Sequence, residues 1–90
     1  MGKQLIRSGT SVTANVIEAG SASSRKDYIN FYTHALKSAN ETKFWISLLM
    51  DSGRLKSEKT NTLLKETEEI ANILGASIKT MKNNLAKQKI

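Results

Sequence analysis

Cysteine is absent from this sequence, so disulfides and thiolate metal sites are excluded. A single histidine, His34, cannot build a histidine metal cluster. Proline is also absent, and the five glycines fall mostly near predicted helix ends or within the last predicted helix. A chain so poor in breakers and so rich in helix formers, above all in its second half, reads as all-α. Long apolar runs are missing too. The longest, Phe44 to Met50, is far short of the ~20 residues that span a bilayer. Near the N-terminus, Arg7, Asn15 and Glu18 interrupt Leu5, Ile6, Val12, Val16 and Ile17, so no signal-peptide core forms. These absences imply a soluble, cytoplasmic protein with no membrane partner.

What is present must fold as one domain, residues 1–90. A chain of this size buries roughly 60–65% of its unfolded surface. Without disulfides or a metal, its stability rests on oligomerisation or on very good helix packing. The formal net charge is +6 and the pI about 9.8, which favours acidic partners such as nucleic acid.

The apolar spacing predicts three antiparallel helices, at about 3–19, 25–51 and 57–87. In the first, Leu5, Gly9, Val12, Val16 and Ala19 recur at four-three spacing, widened by Ile6 and Ile17. Its many β-branched and hydroxyl residues give it poor intrinsic propensity, so it needs tertiary packing. Gly20 is the expected stop. Ser23 or Ser24 is the expected N-cap of the second helix, with Ser24 and Asp27 resembling a capping box. The second helix carries Tyr28, Tyr32, Ala35, Ala39, Thr42, Ile46 and Leu49 on one stripe and stops at Gly53. The third begins after Leu55 with Ser57 as the expected cap, and carries Leu63, Thr67, Ile70, Leu74, Ser77, Met81 and Leu85. Gly75 lies inside that pattern, either to admit a close neighbour or as a tolerated cost of about 1 kcal/mol.

At 1.5 Å per residue the helices are about 25, 40 and 45 Å long. The first is then expected to cover only the first half of the second. Phe44, Trp45, Ile46, Leu48, Leu49 and Met50 spread over roughly 240° of the second helix, more than one packing face. A subunit interface is therefore expected at Phe44, Trp45, Leu48 and Leu49, with oligomerisation completing the bundle.

Several stretches carry a family resemblance. They are Gln4-Leu5, Arg7, Ser11-Val12, Ala14-Asn15-Val16, Glu18 and Gly20, then Ser23-Ser24-Arg25-Lys26, Tyr28, Phe31, Ala35-Leu36, Ser38-Ala39 and Glu41. They resemble the second and third helices of the bacterial four-helix bundle family named for proteins encoded in intervening sequences of 23S ribosomal RNA genes. The third predicted helix resembles the family's fourth in character. Family members usually carry a long helix before the segment matching Gln4, and this sequence shows none. The resemblance implies a homo-oligomer, with pentameric rings among the known forms, and no established enzymatic activity. One branch of the family, the accessory variability protein of diversity-generating retroelements, is a basic ring that binds nucleic acid and a reverse transcriptase.

No residue constellation supports catalysis, a cofactor or a small-molecule substrate. His34 has no triad partner at useful spacing, and Glu41 lies two turns away. Asn15 and Glu18 read as structural, Asn15 bonding across to the second helix and Glu18 bonding to the turn or to Arg25. The antiparallel return of the third helix brings Lys79, Lys82 and Lys87 back toward Arg25 and Lys26. That basic end is the candidate nucleic-acid face, through sequence-independent phosphate contacts. No aromatic residue interleaves its lysines, so a base-stacking platform is not expected. The leading expectation is a non-enzymatic oligomeric helical-bundle protein. The alternative is a basic nucleic-acid-binding accessory factor acting on RNA or DNA.

Overall fold

The computed structural model describes residues 2–53 and 57–88. The expectations for Leu55 and for a Ser57 side-chain cap concern groups outside those described. Three helices follow one another: α1 (Gly2–Gly20), α2 (Arg25–Asp51) and α3 (Ser57–Gln88). They form an elongated body of 53 × 19 × 14 Å. α1 and α3 each pack on α2, and their backbones do not meet each other. α2 is thus the central member of an up-and-down array, as the stripes predict.

α1 packs through small polar residues as well as through Val12. Its buried residues are Ser8 and Ala19, with Leu5, Gly9, Ser11, Val12 and Asn15 half-buried. Ile6 and Ile17 were expected to widen the stripe but are 70% and 66% exposed. The reason lies across the interface. Thr42 Oγ1 is 2.9 Å from Ser8 Oγ, and Ser38 Oγ donates to Ser11 Oγ at 2.9 Å. Thr42 also reaches the Ser38 carbonyl at 2.8 Å, and Ser8 the Leu5 carbonyl at 3.1 Å. The protons of Thr42 and Ser8 therefore serve three contacts among nearly dry neighbours. Facing hydroxyls turn α1 so that Ser8 and Ser11 point inward. The same pairs set the register. Ser8 lies level with Thr42, well past the middle of α2, so α1 covers more of α2 than the expected first half.

The turn between α1 and α2 is closed locally. The Ser21 and Ala22 amides donate to the carbonyls of Glu18 and Ala19 at 3.0 and 3.1 Å. Gly20 is the last residue of α1 and does not take a left-handed backbone. Ser24 is the N-cap of α2, extended at φ −149° and ψ 163°, and its Oγ accepts the Asp27 amide at 3.1 Å. The capping box is half formed, because the Asp27 carboxylate accepts from Ser23 Oγ at 2.9 Å. At the other end of α2, Gly53 adopts φ +73°, the left-handed conformation in which a side chain is strained.

The α2–α3 interface is apolar. Ala35 and Ala39 of α2 meet Ala71 and Leu74 of α3, with Val12, Tyr32 and Leu36 packed around them. Small residues at the centre let the helices approach closely, and Ile46 is the largest fully buried side chain. On α3 the buried face runs through Thr60, Thr67, Ala71, Leu74 and Ile78. Leu63 and Ile70, expected at the seam, sit at its margin, 43% and 45% exposed. A β-carbon built at Gly75 meets nothing within 4 Å, so no close neighbour accounts for that glycine.

Candidate functional site

The surface divides between the two ends of the molecule. Toward the α2 C-terminus, Phe44 is 57% exposed and meets Trp45 edge to face at 4.9 Å. Leu48 is half-buried, whereas Leu49 is buried in the protein's own packing. Leu49 therefore presents little surface to a partner. On a different face of α2, floored by Ala39 and Thr42, an open groove runs between α1 and α3. Gly9, Val12, Thr13, Ala39, Thr42, Leu63, Thr67 and Ile70 line a cavity of about 210 Å³, and none of them is charged. The groove exists because α1 and α3 both lean on α2 while their backbones stay apart. Sequence spacing alone did not find it, since Leu63 and Ile70 read as ordinary core positions.

At the opposite end the antiparallel register assembles the cationic residues. Arg25 and Tyr28 of α2 share a cavity of about 150 Å³ with Met81 and Asn84 of α3. Lys82 and Lys87 follow on the same stretch of α3, and Lys79 lies just before it. Arg25, Lys26, Lys79, Lys82 and Lys87 are all exposed. Lys3 and Arg7 do not join them. Arg7 precedes Ser8, and Ser8 lies beside Thr42, toward the other end of α2.

The basic end also holds aromatic rings. Tyr28 and Tyr32 stack with centroids 4.7 Å apart and planes 30° apart, and their hydroxyls lie 3.1 Å apart. The hydrogen bond with Tyr28, then burial, then the Tyr28 charge hold the Tyr32 phenol above the usual tyrosine value. Both rings border a cavity of about 390 Å³ whose other walls are Ala76, Ser77, Thr80 and Met81. No aromatic residue interleaves the α3 lysines, but these two rings lie on α2 across from that stretch of α3. The lysines lie on α3 and the rings on α2, so only the pairing of the two helices reveals the combination.

The other candidate residues are placed plainly. Asn15 does not reach α2. Its Nδ2 donates to the Ser11 carbonyl at 2.9 Å and to Ser11 Oγ at 3.2 Å. The Glu18 side chain is exposed, and its backbone carbonyl closes the turn. His34 and Glu41 are exposed on α2. Among the described residues, no group of three or more His, Cys, Asp or Glu side chains is placed to hold a metal ion. No described helix is long and apolar enough to cross a membrane.

Comparison with known proteins agrees with this architecture. No curated protein matches the chain. A crystal structure of a protein of unknown function from Bacteroides thetaiotaomicron VPI-5482, of the S23 ribosomal protein family, is 43% identical in sequence and superposes with a TM-score of 0.83. The match covers 86% of this chain and 71% of that one. The 23S rRNA-intervening sequence protein family matches residues 1–76. With most of its length matched and its helices in the same arrangement as that relative, the chain belongs to the 23S rRNA-intervening sequence protein family.

Proposed function

We propose that this protein is a non-catalytic helical scaffold that self-associates through its apolar end. The observation that carries this reading is the separation of surfaces along a 53 Å body. Phe44 and Leu48 lie on the C-terminal half of α2, and the exposed cations of the α2 start and the α3 end lie toward the other end. A small chain whose central cluster is three alanines and one leucine has little stability to spare. Covering Phe44 and Leu48 with a second copy removes apolar surface from water at about 25 cal/mol per Å². The charge-depleted groove has the composition of an interface centre.

Sedimentation at tens of micromolar tests this reading. An oligomer is expected, and Phe44→Glu, at an exposed position, is expected to shift it toward monomer while the helical content stays unchanged. A wild-type monomer across that range would overturn the proposal.

A second reading rests on the basic end. Arg25, Lys26, Lys79, Lys82 and Lys87 are all exposed on the stretches of α2 and α3 that pair at this end, which supports the reading. The reading is phosphate-backbone binding, which agrees with the net charge of +6 and with a family named for ribosomal RNA insertions. Its mark is salt dependence. The triple variant Lys79→Ala, Lys82→Ala, Lys87→Ala should bind RNA and DNA more weakly, with a shallower slope of log affinity against log salt. Affinity that does not change with salt would refute it.

A further inference from the structure

We infer that Tyr28 is a base-stacking surface within a cleft for single-stranded nucleic acid, an inference that rests on the phosphate-binding reading of the basic end. Two adjoining cavities, of about 390 and 150 Å³, share Tyr28 and Met81 as walls. They lie next to each other along the α2–α3 seam, with Tyr32 lining the first and Arg25 the second. The larger volume lies in the size range of pockets for small organic groups. Tyr32 backs Tyr28 from one side, and the hydroxyl contact between them at 3.1 Å ties the two rings together. Tyr28 itself is only half-buried, so its ring is presented without being mobile on a bare surface.

The chemistry around the ring selects the ligand. Arg25 supplies a planar cation for a phosphodiester at one end of the cleft. Asn84 beside it can both donate to and accept from a base edge, and Ser77 and Thr80 offer hydroxyls further along. Lys82 and Lys87 extend the positive surface along α3. Asp27 is the nearby carboxylate on α2, and it is engaged by Ser23 at 2.9 Å. Aromatic faces set in a cationic groove bind unpaired bases irrespective of sequence, whereas the stacked bases of a duplex offer no free face. The cleft lies at the end opposite Phe44, so association through the apolar end leaves it open.

The test is fluorescence anisotropy of the full chain with a labelled single-stranded RNA of about 15 nucleotides and with its duplex. Tyr28→Phe keeps the ring and should bind like wild type. Tyr28→Leu keeps bulk without a π face and should weaken single-strand binding about tenfold, with an unchanged salt slope and no effect on the duplex. Arg25→Ala should instead reduce the salt slope. If Tyr28→Leu binds as wild type while Lys82→Ala and Lys87→Ala weaken binding, the stacking inference falls and the phosphate reading stands. If the wild type binds neither probe at low salt, both fall.

Discussion

The two interfaces of α2 are built from opposite materials. Toward α1 it presents Ser38 and Thr42, which bond to Ser11 and Ser8. Toward α3 it presents alanines, packed on Ala71 and Leu74. The apolar side draws its strength from area and pays little for orientation. The hydroxyl side gains little net energy per bond but fixes rotation and register, because a misplaced hydroxyl would be left dry and unpaired. So α3 supplies much of the adhesion, whereas α1 is positioned by polar matching. That division explains why α1 can leave Ile6 and Ile17 in water.

Removing bulk from the apolar side should have the largest effect. Leu74→Ala is expected to destabilise the fold by about 2–4 kcal/mol, read from the midpoint of urea unfolding. A cost below about 1 kcal/mol would show that the α2–α3 contact is not the main source of adhesion. Next comes the polar side. Thr42→Val keeps shape but strips the hydroxyl that Ser8 faces, and should cost about 1–2 kcal/mol. Adding Ser8→Ala to it should cost less than the sum of the two single changes, since the two hydroxyls face each other and their contact is lost only once. Simple additivity in that double-mutant cycle would break the comparison. Smaller and opposite in sign, Gly75→Ala should stabilise α3 by about 1 kcal/mol, because the added methyl meets open space. Thermal unfolding of the two proteins side by side reads that gain.

The smallest expected effect is a pH dependence near the Tyr28–Tyr32 pair. The Tyr32 value is raised in the fold, chiefly by the hydrogen bond with Tyr28. The folded state therefore holds that proton more tightly than the unfolded chain does. Its contribution is complete below the ordinary tyrosine value near 10 and is lost as pH rises through the higher folded value. Tyr28→Phe should flatten that decline in unfolding experiments above pH 10, as the partner hydroxyl is gone.

The helices and their order were legible in the sequence because periodicity and caps are local. Ser24 and Asp27 could be read as a cap from their spacing, and Gly53 as a stop from its place after the last apolar residue. The rotation of α1 was not legible. Leu5, Val12 and Val16 form a proper stripe, and nothing within α1 says that Ser8 will find Thr42 on another helix. The return of Lys82 and Lys87 to Arg25 followed from antiparallel order alone. The rings beside them did not, because Tyr28 and Tyr32 read as core positions on α2 and their half-exposure depends on what α3 leaves open. Leu49 illustrates the reverse case. The apolar cluster around Trp45 marked it as surplus, yet the fold buries it.

The backbones of α1 and α3 each pair with α2 and not with each other, and this shapes how the chain folds and opens. Each outer helix forms a hairpin with α2, so native contacts link neighbouring elements and low contact order favours fast folding. α1, the shortest helix and the one with Ile6 and Ile17 left in water, should exchange its amides through local opening that leaves the α2–α3 hairpin paired. The least costly excursion from the native state is therefore release of α1, which lays bare the Ser38–Thr42 face of α2.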